Sequence, residues 1–234
     1  MKRFWDTAAV APDQGGFRVL LDGHVVRLPG GTPLFLQRRS LAEAIAAEWG
    51  VAGGGKGGDM DWTDVPLTRL AGTVQERITP NPEPVALEIA RYGETDLLCY
   101  RAEGPEVLVQ RQLEQWQPWL DWAEREYGAR LRVTTGVMPV VQDSSALAAL
   151  VQVVVAQAPP VLAALGVAVP ALGSLVLGLA MAAFRLDAAS AFGLAGLDES
   201  FQAELWGRDP AAEERRRRGA AEVTVAAQFL RLVR

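Results

Sequence analysis

Cysteine and histidine are almost absent from this chain of 234 residues, which holds one of each, Cys99 and His24. A single cysteine excludes an internal disulfide and gives no sign of an oxidising compartment. One cysteine and one histidine also exclude most zinc sites, because these residues normally supply most of the ligands. A carboxylate-only calcium site would be expected to carry a D-x-D-x-D-G loop, and none is present. No metal or cofactor is therefore expected. Basic charge is in short supply as well: 23 Lys and Arg stand against 28 Asp and Glu, a net charge of −5. That balance disfavours a nucleic-acid binder, which needs a basic face for phosphates. The N-terminal "MKRFWDTAAVAPDQGG" has two basic residues but no apolar stretch behind them, and it is not an Arg/Ser-rich transit segment. A cytoplasmic protein is expected.

Charge is missing altogether between Ser144 and Phe184. A run of about 20 apolar residues suffices to span a bilayer. Here Pro159, Pro160 and Pro170 divide the run into pieces nearer to buried core helices, Gln152, Gln157 and Ser174 dilute it, and no Lys/Arg cluster or aromatic belt clearly flanks it. The expectation is a helical core without stable membrane insertion.

What is present is a globular composition, 50% hydrophobic and 22% charged, with enough chain for a substantial core. "GGFRVLLDGHVVRLPGG" predicts a hairpin turning at Asp22-Gly23 and returning over His24 to Leu28, with "PLFLQRR" as a possible third strand. "SLAEAIAAEWG" predicts a short helix with a capping box, Ser40 and Glu43, closed by Gly50. "VPLTRLAGTVQERI" is predicted helical, as is Pro84 to Tyr92. The longest clear helical pattern starts near Pro105, with Val109, Leu113, Trp116, Leu120, Ala123 and Tyr127 at steps of three and four, and Pro118 is expected to kink or split it. "ARLRVTTGVMPVV" reads as one more strand. The last helix should open with Asp209 as cap, Pro210 in its first position and Glu213 and Glu214 in its first turn. Strands come first and helices after, without internal repeats, so the fold class is α+β: a β-rich part over residues 1–80 and a mainly helical part over 81–234.

The motifs carry little chemistry. "GVAGGGK", Gly50 to Lys56, matches the spacing of a phosphate loop but lacks the Ser/Thr after lysine, the preceding strand and the following helix. His24 has no evident nucleophile and carboxylate to serve. Cys99, in apolar "DLLCY", reads as an inert core thiol. "EERRRR", Glu213 to Arg218, reads as a solvated helix face with i,i+4 pairs, although Arg215 to Arg218 could also dock an acidic partner. "LDESFQAELWG", Leu197 to Gly207, is different: as a helix it places Leu197, Phe201 and Glu204 on adjoining turns and Asp198, Glu199 and Gln202 on a neighbouring acidic edge. Glu199 and Glu204, spaced i,i+5, do not share a face squarely, which argues against paired-carboxylate catalysis. Trp49 and Trp206 each end a helical pattern beside a glycine, where tryptophan can cap a core or anchor a partner.

Taken in order, "KRFW", "GGFRVLLDGHVVRLPGG", "LAEAIAAEW", "PLTRLAGT", "RYGETDLLCYRAEGPEVLVQRQ", "WQPWLDWAEREYG", "GSLVLGLA" and "LDESFQAELWG" resemble the ATP synthase assembly chaperones that handle the α subunit of the catalytic head, the Atp-twelve family. The resemblance implies a β-rich N-terminal part, a helical C-terminal part and no catalysis. It implies a partner, the free α subunit, which is kept from aggregating until the β subunit takes its place. The chaperone itself is expected to be a monomer when free. It also implies site residues: Glu199 at the family's functionally sensitive acid, with Asp198, Gln202, Glu204 and Trp206 around it, and Trp49 at a tryptophan whose loss harms function. In the family the segment matching Ser144 to Phe184 forms soluble core helices, usually with a few charges; this chain has none there.

Overall fold

Period-two alternation and a left-handed turn build the first sheet. The computed structural model describes residues 1–136, 138–207 and 209–234. Strand β1 (Ala8–Asp13) pairs antiparallel with β2 (Gly16–Leu21), and β3 (His24–Val25) returns along the other side of β2. Asp22 (φ 47°) and Gly23 (φ 84°) supply the two left-handed residues that a tight hairpin turn demands. Strand β1 was not expected, since "AAVAPD" is poor in β-branched residues; it lies on the sheet edge, where Pro12 is tolerated. The return is two residues long rather than reaching Leu28, and "PLFLQRR" contributes only isolated bridges, Arg27 with Pro33 and Phe17 with Leu36.

The chain divides into two compact units, Met1–Pro82 with Gln228–Arg234, and Glu83–Ala227. In the first, helix α1 (Arg39–Val51) buries Leu41, Ile45 and Trp49 and packs on β1 and β2. The predicted capping box is not formed. The helix starts at Arg39, and the Ser40 hydroxyl donates instead to the Leu232 carbonyl at 2.9 Å. Nor does Gly50 end the helix, which runs one residue further. Helix α2 (Pro66–Thr73) continues into a π turn, Val74–Ile78. Its free N–H groups are capped from α1: Glu48 accepts from Leu67 N–H at 2.7 Å and Thr68 N–H at 3.1 Å. The glycine-rich loop after α1 is packed around Arg3, whose guanidinium donates to the carbonyls of Gly50, Ala52 and Gly54, and Lys56 pairs with Asp6. Three carbonyls of the loop turn to the guanidinium and Gly57 N–H donates to the Arg3 carbonyl, so these groups are already engaged and do not cradle a phosphate.

The second unit is helical. It contains α3 (Glu83–Ala90), α4 (Glu106–Tyr127), α5 (Ser144–Val155), α6 (Pro159–Leu172), α7 (Leu175–Ala182), α8 (Ala188–Ala195) and α9 (Leu197–Trp206), and most of α10 (Pro210–Leu232). Helix α3 ends at Ala90 and passes into a 3-10 turn, Arg91–Thr95, instead of reaching Tyr92 as one helix. Pro118 does not split α4, which runs unbroken through it. The α4 seam also differs from expectation: Leu108 and Gln112, not Val109 and Leu113, continue the buried row of Trp116, Leu120 and Ala123, and Leu113 is half exposed. The strand expected over "ARLRVTTGVMPVV" amounts to β5 (Thr134–Thr135), parallel to β4 (Tyr100–Arg101); Val137 of that stretch lies outside the described residues. Asp209 caps α10 as anticipated, accepting from Ala211 and Ala212 N–H, and Pro210 opens it.

The uncharged run folds as α5, α6 and α7. Pro159 opens α6, but Pro170 sits inside it, and the break comes at Gly173 (φ 63°), followed by Ser174 as the N-cap of α7. Gly178 lets α7 lie against α6: a Cβ there would fall 2.5 Å from Val169 Cγ2. No helix among the described residues is long and apolar enough to cross a membrane.

Candidate docking surface on α9 and its support

Helix α9 is short, and its surface is acidic and aromatic for reasons that can be separated. Asp198 and Glu199 lie in its first turn, where no side chain caps it and negative charge stabilises the exposed N–H groups. Leu197 and Phe201 are buried and hold the helix to the unit. Glu199 and Gln202 are exposed, and neither side chain has a hydrogen-bond or ion-pair partner among the described residues. At the C-terminal end Leu205 is 58% and Trp206 86% exposed. An indole so exposed contributes nothing to the core.

Three side chains, Gln112, Arg111 and Arg216, hold α9 in place. Gln112 Nε2 on α4 donates to Asp198 Oδ1 at 2.7 Å. Arg111, one residue earlier, pairs with Glu204 at 2.8 Å and lies over the Phe201 ring at 5.3 Å. Arg216 on α10 donates to the Ser200 hydroxyl at 2.9 Å. Of the arginine run, Arg218 pairs with Glu214 at the i,i+4 spacing expected of a solvated face, and Arg217 reaches the same Glu214 at i,i+3.

Behind α9 lies a buried polar network. Gln112 is fully buried; its Oε1 accepts from Ala102 N–H at 2.8 Å and its backbone carbonyl accepts from Arg101 Nη1 at 2.6 Å. Arg101 also donates from Nε to the Leu98 carbonyl at 2.9 Å and stacks over Trp116 at 5.4 Å. Trp116 in turn donates to the Leu194 carbonyl, next to the start of α9. Burial lowers the pKa of the Arg101 guanidinium, and the charge of Asp198 is among those that oppose the shift. At the far end Asp96 is fully buried and accepts from Leu98 N–H, Ser174 Oγ and Val176 N–H, which joins the "ETDLLCYR" segment to the start of α7. Burial pushes its carboxyl up to about 6. The Cys99 thiol beside it is buried and pushed up to about 12, too high for a nucleophile.

The anticipated site residues are thus sorted by exposure. Glu199, Gln202, Glu204 and Trp206 share the open surface of α9; Asp198 is half-buried and turned to Gln112. Trp49 belongs to the other unit and is buried at 4% exposure, its Nε1 donating to Thr68 Oγ1 at 2.9 Å and its ring edge-on to Trp5 and Trp62. Such burial places it in the core of that unit. Glu204 is spent on Arg111, and no metal-binding group of three His, Cys, Asp or Glu occurs among the described residues. Two cavities, of about 270 Å³ beside α2 and about 680 Å³ beside the start of α5, are lined by neither Glu199 nor Glu204.

Comparison with known proteins places the chain among chaperones. The model of the ATP12 chaperone protein family matches residues 2–124. The crystal structure of Atp12 from Paracoccus denitrificans is 42% identical and superposes with a TM-score of 0.91, over 100% of this chain and 98% of that one. Atu1473 of Agrobacterium tumefaciens is 37% identical, with a TM-score of 0.90, over 100% of this chain and 86% of that one. The chain belongs to the ATP12 family, chaperones of ATP synthase assembly.

Proposed function

We propose that this protein binds the free α subunit of the F-type ATP synthase catalytic head, shields it from aggregation and gives it up when the β subunit arrives. The observation that carries this reading is the free end of α9: an open indole and leucine beside unpaired acidic and amide side chains, on a helix anchored by Gln112, Arg111 and Arg216. An unassembled subunit exposes apolar and charged surface meant for its neighbours, which is an aggregation hazard. Trp206 supplies an anchor to bury, and Glu199 a charge to meet basic groups at the rim, where it governs orientation and on-rate more than affinity. Release then needs competition by β for the same surface and no chemistry of the chaperone's own, so the protein acts as a cytoplasmic binder, monomeric when free, and not as an enzyme.

The test is co-expression with the host's α subunit, with and without β. Soluble α that co-purifies at one-to-one stoichiometry and leaves on addition of β is the expected result. Glu199→Lys and Trp206→Ala should abolish co-purification; Trp206→Ala, at an exposed position, should shift stability by less than ~0.5 kcal/mol, and Glu199→Lys, which reverses the charge in the first turn of α9, by about 1 kcal/mol. Retained α binding in both folded variants would remove α9 as the contact surface; α whose solubility ignores the protein would remove the function.

A further inference from the structure

The first unit holds a cavity that the reading of α9 leaves unused. Its floor is apolar, Leu28, Pro29 and Gly72, and Trp62 forms a wall. Arg69 and Arg77 stand at its border, both exposed, and neither guanidinium has a hydrogen-bond or ion-pair partner among the described residues. Arg69 is felt only at longer range, by Asp61. Glu76 also lines the cavity but is already engaged by the Thr32 hydroxyl and Gly30 N–H.

The backbone brings the two arginines together. Eight residues exceed two α-helical turns by roughly 80°, which would swing Arg77 away from Arg69. The chain instead makes a π turn over Val74–Ile78, with Thr79 N–H bonded to the Val74 carbonyl. The extra residue in that turn takes up most of the offset, and Arg69, Thr73 and Arg77 all line the same cavity. π turns of this kind gather at functional sites. The wall is equally fixed: Trp62 packs edge-on against Trp49 at 6.2 Å, and Trp49 is tied to Thr68, itself a lining residue.

We propose that this cavity docks a peptide segment that presents an apolar side chain next to carboxylates. About 270 Å³ holds a side chain or two. The apolar floor and indole suit an aliphatic or aromatic group, and two free guanidinium forks suit carboxylates bidentately. The Glu76 carboxylate in the lining disfavours a phosphate or nucleotide, whose charge is denser. On a chain of net charge −5, an unpaired arginine pair beside an apolar floor is a local reversal of sign that selects an acidic partner segment. The pocket is argued without reference to the α9 surface and stands or falls separately from it.

The experiment is a titration of the full-length, isotope-labelled protein, followed by amide and indole N–H shifts. The probe is acetyl-Leu-Asp-Glu-amide; acetyl-Leu-Asn-Gln-amide and inorganic phosphate at equal ionic strength are the controls. Saturable shifts at Gly72 and the Trp62 indole with the acidic peptide are expected, with binding about tenfold weaker for each of Arg69→Gln and Arg77→Gln at unchanged melting temperature. Both positions are exposed, so the fold should survive. Equal binding of the amide peptide or of phosphate, unchanged binding by the double variant, or no saturable shift at millimolar peptide would each overturn the proposal.

Discussion

Gln112 and Asp198 lie 86 residues apart in sequence and meet at 2.7 Å, amide to carboxylate. This contact joins the buried seam of α4 to the first turn of α9. Because Gln112 also accepts from Ala102 N–H, its side chain is satisfied at both ends. Gln112→Leu keeps the volume and orphans both partners. A buried group left unsatisfied costs about 1–3 kcal/mol, so the variant should lose that much in urea denaturation. Gln112→Glu should be worse at pH 7, with two carboxylates face to face, and should recover in part towards pH 5. A variant as stable as the parent at both pH values would show that the network is dispensable.

Asp96 gives the opposite pH signature from an exposed paired carboxylate. Burial raises its pKa from 3.8 to about 6, so between these values the folded state binds more protons than the unfolded one. Stability from this group is full below pH ~4 and is lost as pH rises through about 6, by a few kcal/mol. Asp96→Asn should lower stability overall, since one carboxylate oxygen that accepts from Val176 N–H becomes an amide nitrogen. The diagnostic is the slope: thermal melts between pH 4.5 and 7 should fall less steeply for the variant than for the parent. Parallel slopes would mean that Asp96 does not titrate in this range.

Much of this was legible in the sequence, because periodicity reports burial wherever apolar residues do the burying. The Asp22-Gly23 turn and the Asp209 cap were legible for a second reason, local turn and cap chemistry, and the helices of the uncharged run for a third, the absence of charge. The failures share a cause. Gln112 occupies a core position in a polar disguise, so the apolar count shifted the α4 seam to Val109 and Leu113; the i+4 row Leu108, Gln112, Trp116, Leu120 was visible only if a buried amide was allowed. Ser40 had the spacing of a capping box, but its hydroxyl is taken by Leu232, a partner 192 residues away that no local pattern contains. On α9 the types of residue were readable, and their exposure was not: only the packing shows that Trp206 is open while Trp49, equally followed by glycine, is enclosed.

The burial of Trp49 predicts that it acts through the fold. Its loss removes a large buried ring, the Thr68 hydrogen bond and the support of Trp62. Trp49→Ala should cost about 3–5 kcal/mol, a large part of a typical domain's stability. Trp49→Phe should cost less, keeping the ring packing and losing the N–H. Holding of a client protein should then track the folded fraction and return on cooling. A Trp49 variant that melts like the parent yet fails to bind would contradict this and restore a contact role.

The contact of α7 with α6 at Gly178 offers a test of packing in which two effects compete. In an exposed helix interior Gly→Ala gains about 1 kcal/mol. At Gly178 the new methyl carbon would lie 2.5 Å from Val169 Cγ2 and 3.5 Å from Leu165 Cδ2, inside a core where Val169 is wholly buried. Overpacking of this kind typically costs about 1–3 kcal/mol, enough to reverse the gain. Gly178→Ala should thus destabilise, and Val169→Ala alone should destabilise by leaving a void. Together the added methyl enters the space vacated by the valine, so the double variant should be more stable than the sum of the singles predicts, with a coupling of about 0.5–3 kcal/mol. Additive losses, or a stabilised Gly178→Ala, would show that α6 and α7 can separate at little cost, and that their contact is looser than the burial of Val169 and Leu165 implies.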